Sequence, residues 1–184
     1  MVILNDFIQI HDNALDSETC DFLINLFEQN IEYQETIQND KKPNFTQFNL
    51  TKVIEFSDEV KNIHNNLIRN VFRYRDEYYE YFGRDVFPDK HAFEQFRIKR
   101  YLPDNDEGFD THVDVIDHET SRRYLSFLWY LNDNPGGQTE FLDLIIQPEM
   151  GKLVVFPPLW MFPHKGYEPV STPKYILTTY LHYK

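Results

Sequence analysis

The sequence has little cysteine, no long apolar run and no excess of positive charge. Its one cysteine, Cys20, cannot form an internal disulfide, so nothing indicates an oxidising compartment. No apolar stretch approaches the roughly 18 residues needed to span a membrane. The first residues, MVILNDFIQIHDN, are too acidic for a secretion signal. We therefore predict a cytoplasmic protein with no membrane partner.

The deficit of positive charge disfavours nucleic acid as a partner. The 184 residues include 18 Lys and Arg against 30 Asp and Glu, and the formal net charge is −12. Nucleic-acid binding draws most of its affinity from cations that neutralise phosphates. One basic cluster remains, at Arg97, Lys99 and Arg100. On a strand the first two would point one way and the third the other, which weakens the case for a phosphate-binding groove.

The spacing of apolar residues indicates helices in the first half of the chain and strands in the second half. Apolar periodicity predicts a helix over residues 18–30 and a longer one that begins after Ser57 and ends at Gly83. Short strands are predicted over residues 2–10 and 51–56. After residue 90, many short strand patterns are separated by Pro and Gly, which is typical of a sandwich or barrel. We predict one α+β domain over 1–184, with a helical buttress (1–90) on a β-barrel core (91–184).

The segment His112-Val113-Asp114 is the strongest chemical signal from the residues themselves. Residues i and i+2 of a strand point to the same side, so this imidazole and carboxylate can reach one metal ion together. His164 is the best candidate for a third ligand. Two His and one carboxylate leave three positions open, as in non-haem Fe(II) oxygenases. Asp117 and His118 are rival ligands, but they lie in a polar stretch typical of a solvated loop.

Lys174 follows His164 by ten residues, across a turn rich in Gly, Pro and Ser. On an adjacent antiparallel strand it would point into the same cavity, where a buried ammonium needs an anionic partner. The distal carboxylate of a dicarboxylate cosubstrate would supply one, and Tyr101 could donate a second hydrogen bond to it. The alternative is a surface lysine on an edge strand.

In the order of these motifs the sequence resembles the 2-oxoglutarate- and Fe(II)-dependent dioxygenases, specifically their prolyl 4-hydroxylase-like branch. The resemblance covers nearly the whole chain. It is carried by HDNALDSETCDFLINLF, Arg100-Tyr101-Leu102-Pro103, His112-Val113-Asp114, Arg123, Ser126, Tyr130-Leu131-Asn132, Gly136-Gly137-Gln138-Thr139-Glu140-Phe141, Pro148–Gly151, Phe156, His164, Pro169-Val170 and Lys174-Tyr175.

The resemblance implies a double-stranded β-helix, a jelly-roll barrel with the N-terminal helices packed on one sheet. It implies His112, Asp114 and His164 as catalytic iron ligands, with Lys174 and Tyr101 binding the 2-oxoglutarate. The cofactors would be Fe(II) and 2-oxoglutarate, with ascorbate as a candidate reductant. The implied reaction is a hydroxylation that yields succinate and CO2 as co-products.

The sequence departs from the family pattern in three places. Two extra residues lie between Tyr101 and His112 relative to the commonest spacing. Tyr180 stands where the family usually has a Trp. The segment 157–163 before His164 is unusually aromatic, and its Trp160 and Phe162 either line a substrate cleft or pack.

Two other classes of protein fit parts of the sequence. A jelly-roll binding module without catalytic activity would keep the fold. Such a protein would be expected to lose the metal ligands and Lys174 first, and this sequence retains them. A hydrolytic zinc site could use the same three ligands, yet it gives no role to Lys174. A small-molecule oxygenase of the same superfamily is a further alternative.

The expected substrate is a peptide or an amino acid, with proline the first candidate. Aromatic side chains at Trp160, Phe162 and Tyr180, in an acidic chain, favour neutral or cationic partners over phosphate backbones. We therefore predict hydroxylation and not repair of alkylated DNA.

Overall fold

In a computed structural model that describes residues 3–184, the protein combines two helices with antiparallel sheets. The larger sheet has the strand order β1-β10-β7-β12-β5-β3-β2, with β4 also paired to β12, and the smaller sheet has the order β6-β11-β8-β9. The strands are β1 Gln9–His11, β2 Gln34–Ile37, β3 Phe45–Asn49, β4 His91–Phe93, β5 Arg97–Tyr101, β6 Phe109–His112, β7 Arg123–Tyr130, β8 Thr139–Phe141, β9 Leu144–Ile146, β10 Leu153–Phe156, β11 His164–Gly166 and β12 Lys174–Tyr183.

The two predicted helices are confirmed, and side-chain caps explain where they begin. Helix α1 spans Ser17–Gln29, and the Asp16 carboxylate accepts a hydrogen bond from the Thr19 amide. Helix α2 spans Asp58–Phe82, and the Ser57 hydroxyl accepts one from the Val60 amide. Such caps satisfy amide groups that have no partner within the helix. Gly83 ends α2 with a φ of 92°, a conformation that few other residues tolerate.

The larger sheet is buried on both faces, and its strands divide their side chains between two cores. Trp129 of β7 packs with α1 and α2, whereas its neighbours Leu128 and Tyr130 pack toward the smaller sheet. This division follows from the alternation of side chains along a strand. The Trp129 indole also donates a hydrogen bond of 3.1 Å to the Asn70 side chain of α2. The helices thus support one face of the sheet and leave the other face free to line a site.

Two of the predicted strands are wrong in part. Within the predicted strand over 2–10, Leu4–Phe7 form a 3-10 turn and only Gln9–His11 pair with β10; residue 2 lies outside the described residues. The predicted strand over 51–56 is replaced by an earlier strand, β3, and by a 3-10 turn over Leu50–Val53. The Asn49 side chain accepts a hydrogen bond from the Lys52 amide, which stabilises the turn in place of a strand.

Strands β1, β2 and β3 come from the first 90 residues, so this part of the chain adds both helices and strands to the larger sheet. Among the described residues, no helix is both long and apolar enough to cross a membrane.

Replacing Leu67 with Ala tests the packing of α2 on the larger sheet. Leu67 has no exposed surface and belongs to the core between helix and sheet. We expect Leu67→Ala to lower the free energy of unfolding by about 2–5 kcal/mol, because it removes buried methyl groups and leaves a cavity. Urea denaturation measures this change. Asn65→Ala, on the exposed side of the same helix, should cost far less, and an equal loss in both variants would contradict the packing described here.

Candidate active site

The smaller sheet brings together the three residues that the sequence predicts as metal ligands. His164 of β11 lies directly opposite His112 of β6, and their ring centroids are 4.2 Å apart. Asp114 lies two residues beyond the end of β6, so the strand is shorter than predicted, yet the carboxylate still faces both rings. Asp114 Oδ1 is 3.5 Å from His112 Nε2 and 3.8 Å from His164 Nε2. Donors that bind one ion at about 2.0–2.2 Å can be this far apart.

Hydrogen bonds fix which nitrogen of each imidazole faces the carboxylate. His112 Nδ1 lies 2.8 Å from the Asp110 carbonyl, and His164 Nδ1 lies 3.1 Å from the Phe162 carbonyl. A carbonyl accepts hydrogen bonds only, so each Nδ1 carries the proton and each Nε2 has a free lone pair. A metal-binding histidine uses its second nitrogen in this way. The three residues therefore fit a divalent metal ion such as iron.

The charge state of this group also suits a cation. Burial alone would raise the pKa of Asp114, but the adjacent imidazoles of His112 and His164 and the Lys99 ammonium outweigh it and lower the pKa to about 2. Burial lowers the pKa of His164, which therefore stays neutral. An ionised carboxylate and a neutral imidazole are the forms that coordinate metals.

Lys174 lies at the inner end of the same cavity and has no anionic partner among residues 3–184. Only 3% of its surface is exposed, and its ammonium lies 5.5 Å from the Tyr101 ring and 5.8 Å from the Tyr130 ring. Tyr101 is its direct neighbour across β5 and β12. Burial lowers the pKa of Lys174 to about 7. The surface-lysine alternative is therefore wrong, and the ammonium is positioned to meet an anionic ligand.

Gly137 lies in the turn before β8, at a position that has no room for a side chain. A Cβ atom there would lie 2.4 Å from Asn134 Oδ1 and 2.9 Å from the Lys174 side chain. Asn134 in turn donates hydrogen bonds to the Thr172 and Pro173 carbonyls, which immediately precede the lysine. The turn thus packs closely on Lys174 and holds its aliphatic stem in place.

A network that the sequence did not predict lies at the outer end of the cavity. The Glu94 carboxylate accepts two hydrogen bonds of 2.7 Å from the Arg123 guanidinium and lies 2.8 Å from His182 Nε2. Arg123 also donates to the Asp114 carbonyl at 2.9 Å and stacks on the Tyr180 ring. The network therefore fixes the backbone of one candidate ligand.

Lys99 is a further residue whose role the sequence did not predict. It lines the same cavity as Lys174 and the candidate ligands. Its ammonium lies 5.1 Å from the Phe45 ring and 5.5 Å from the Phe109 ring. As expected for a strand, Arg100 points the other way, where it pairs with Glu28 at 2.9 Å. The basic cluster is thus divided between two faces of β5.

The aromatic residues predicted for a cleft have different positions. Tyr180 lines the cavity, where burial and the Asp114 carboxylate raise the pKa of its phenol well above the usual value. Phe162 is 2% exposed and packs in the core between the sheets. Trp160 is 77% exposed and does not line the cavity. The rival ligand Asp117 instead accepts a hydrogen bond from the Thr120 amide in an exposed turn.

Comparisons with known proteins agree with this fold and site. Residues 96–182 match the family model described as the 2OG-Fe(II) oxygenase superfamily. A comparison with curated protein sequences gives no match. Among solved structures, a viral collagen prolyl hydroxylase from Paramecium Bursaria Chlorella virus-1, in complex with 2OG, has a TM-score of 0.75 at 20% identity, with 97% of each chain covered.

Two further solved structures have the same fold. A prolyl-4-hydroxylase from Pseudomonas putida has a TM-score of 0.65 at 16% identity, covering 97% of this chain and 93% of its own. A prolyl hydroxylase from Trichoplax adhaerens, in complex with a hypoxia inducible factor peptide fragment, has a TM-score of 0.73 at 17% identity. That match covers 96% of this chain and 83% of the other.

The chain therefore matches the 2OG-Fe(II) oxygenase superfamily over residues 96–182, the region that carries β5 and most of the strands that follow it. It is an oxidoreductase of the dioxygenase type, with iron and 2-oxoglutarate as its cofactor and cosubstrate.

The Glu94 network predicts a pH-dependent contribution to stability. Burial alone would raise the pKa of Glu94, but hydrogen bonds and charge from Arg123 and His182 outweigh it and hold the pKa below its usual value. A carboxyl whose pKa is lowered by folding stabilises the fold above its unfolded pKa, and this stability is lost as the pH falls through the folded value. We expect Glu94→Gln to cost about 1.5–3 kcal/mol at neutral pH.

Urea unfolding of Glu94→Gln and the original protein over a pH series from neutral to acidic measures this effect. The difference between them should shrink as the solution becomes acidic. Glu32→Gln, an exposed carboxylate elsewhere, controls for the lost charge. A difference that stays constant with pH would show that the Glu94 charge does not contribute.

Proposed function

We propose that the protein is a 2-oxoglutarate-dependent Fe(II) dioxygenase that hydroxylates a peptidyl or amino-acid substrate, with proline the first candidate. In this proposal the whole chain forms one domain, and its two sheets face each other as a jelly-roll barrel. Strand pairing is antiparallel throughout, and the candidate site lies between the sheets. Both features support the double-stranded β-helix inferred from the sequence.

One observation carries the proposal. A His-Asp-His group and an unpaired buried lysine share a single cavity. We assign His112, Asp114 and His164 as the iron ligands, and Lys174 with Tyr101 as the binding site for the distal carboxylate of 2-oxoglutarate. A metal and a cation at opposite ends of one cavity are complementary to an elongated dicarboxylate. A hydrolytic site would have no use for the second cation.

The iron, when bound, supplies the activation of dioxygen, and the protein supplies position and electrostatics. Each histidine presents Nε2 because its Nδ1 proton is held by a backbone carbonyl. Arg123 fixes the Asp114 backbone. The aromatic rings of Phe141 and Phe156, about 5 Å from His164, exclude water from one side of the site. The proposed reaction inserts one oxygen atom of O2 into a substrate C–H bond, and the other enters succinate as 2-oxoglutarate loses CO2.

The peptide substrate is inferred from the relatives. The Trichoplax adhaerens prolyl hydroxylase was solved with a peptide fragment bound, and the viral relative is named for collagen. A free amino acid or another small molecule is the second candidate. The cavity continues outward past Arg123 and Tyr180 into a second cavity of about 500 Å3, which can accommodate part of a peptide or a small molecule.

A turnover assay with Fe(II), 2-oxoglutarate and O2 tests the proposal. Proline-containing peptides, free amino acids and methylated single-stranded DNA are offered in competition, and product masses and succinate are measured. We expect a peptide or amino acid that gains one oxygen atom, and no demethylated base. Asp114→Ala should abolish turnover and iron binding while leaving the fold intact. An oxidised nucleobase without any oxidised peptide or amino acid would refute the substrate class, and full activity of Asp114→Ala would refute the ligand assignment.

Substitution of Lys174 tests its proposed role. Lys174→Met should weaken 2-oxoglutarate binding by about 2–5 kcal/mol, which is at least about thirtyfold, because it removes one partner of a buried charge pair. Iron binding should change much less. Since the pKa of the unpaired ammonium is about 7, binding of the dianion requires proton uptake above this pH.

The affinity of the original protein for 2-oxoglutarate should therefore fall as the pH rises above about 7. The affinity of Lys174→Met should change less with pH. Calorimetry under anaerobic conditions measures both. Lys52→Met, on the surface, is the matched control. Unchanged affinity in Lys174→Met would mean that the lysine has another role.

A further inference from the structure

The inner cavity opens into the outer cavity, and one strand supplies cations to both. Tyr101, Lys99 and Arg97 alternate along β5 and therefore point to the same side. Tyr101 lines the inner cavity, Lys99 lines both cavities, and Arg97 lines the outer one. Successive side chains on one face of a strand are about 6.5 Å apart. The cations thus form a stripe that leads from the candidate cosubstrate site toward the mouth.

The carboxylates that face this stripe have other partners. Glu94 is bonded to Arg123 and His182. Asp114 lies against both candidate histidine ligands. Within residues 3–184 neither Lys99 nor Arg97 forms an ion pair. Arg97 donates one hydrogen bond, to the neutral Gln95 amide. Among residues 3–184, therefore, no carboxylate forms an ion pair with either cation, and the carboxylate that acts on Lys99 most strongly is the candidate metal ligand Asp114.

Aromatic rings hold the Lys99 side chain in this position. Its ammonium lies beside Phe45 and Phe109 in the cavity that Asp114 also lines. Phe109 also stacks on His112 at 4.1 Å between ring centroids. The cation is therefore fixed beside the reaction centre, and it does not extend freely into solvent.

We propose that Lys99 and Arg97 select a substrate that carries a carboxylate close to the carbon to be oxidised. This inference rests on the proposed function and names the charge class of its substrate. Lys174 and the metal already account for the two ends of 2-oxoglutarate, and Arg97 lies beyond the inner cavity altogether. The anion that complements the stripe therefore belongs to the substrate. It is either the terminal carboxylate of an amino acid or the side chain of an acidic residue in a peptide.

Matched probes that differ by one charge separate these sources. Free L-proline is compared with L-prolinamide, and peptides with Glu beside proline are compared with the same peptides carrying Gln. Binding to the protein loaded with Fe(II) and 2-oxoglutarate is measured by anaerobic calorimetry, and turnover is measured in parallel. We expect the member of at least one pair that carries the additional carboxylate to bind about tenfold more tightly. The pair that shows the difference identifies the source of the carboxylate.

Two substitutions of Lys99 test the assignment. Lys99→Met should abolish the preference for the probe that carries the carboxylate, whereas Lys99→Arg should retain this preference. Lys52→Met, on the surface, controls for the change in net charge. The comparison of probes on the original protein needs no variant, so it remains decisive if Lys99→Met does not fold.

Three results would overturn the inference. They are equal binding of the two members of every pair, no binding at millimolar concentration of any probe that carries the additional carboxylate, and a Lys99→Met variant that keeps the preference for the carboxylate. If the charge preference holds but no prolyl probe is oxidised, the choice of proline fails and the inference about charge stands.

Discussion

An ammonium buried without an anionic partner among residues 3–184 is the constraint on which the cavity depends. Lys174 is fixed in the central strand of the larger sheet, between β5 and β7, and cannot turn toward solvent without breaking strand pairs. An isolated charge in such surroundings is costly. An anionic ligand beside Lys174 would lower this free-energy cost, so the buried ammonium favours an anionic ligand over a neutral one. Gly137 and the Asn134 hydrogen bonds serve this arrangement because they hold the stem of Lys174 and the chain before it.

The two sheets contribute different side chains to the candidate site. The smaller sheet holds His112 and His164 opposite each other, through a register that also pairs β11 with β8. The larger sheet supplies the cations, from β5 and β12, and is supported behind by both helices. The candidate metal ligands and the cationic side chains are thus built on separate sheets. The side chains packed between the sheets set the distance between these two groups.

Local signals in the sequence were enough for the helices and for the pairing of His112 with Asp114, whereas His164 and Lys174 were assigned from the order of motifs that resembles a known family. Helix periodicity and capping residues are short-range features, and the alternation along a strand explains why Lys99 and Arg100 face opposite ways. Glu94 and His182 are 88 residues apart in the sequence, and nothing local in either indicates the other. Phe162 and Trp160 show a further limit. Their residue types suit either a cleft or a core, and only the path of the chain before His164 decides between them.

The acidic surface and the cationic cavity act over different distances. At physiological ionic strength, exposed charges are screened within about 8 Å, so a net charge of −12 mainly influences the approach of large polyanions. Inside the cavity, screening is weak and the nearest charges dominate. The Glu94–Arg123 pair is satisfied internally. Lys99 and Arg97 add positive charge beside the candidate ligands, and a bound divalent metal ion would add more. An acidic protein can therefore favour an anionic group in this cavity although its overall charge is negative.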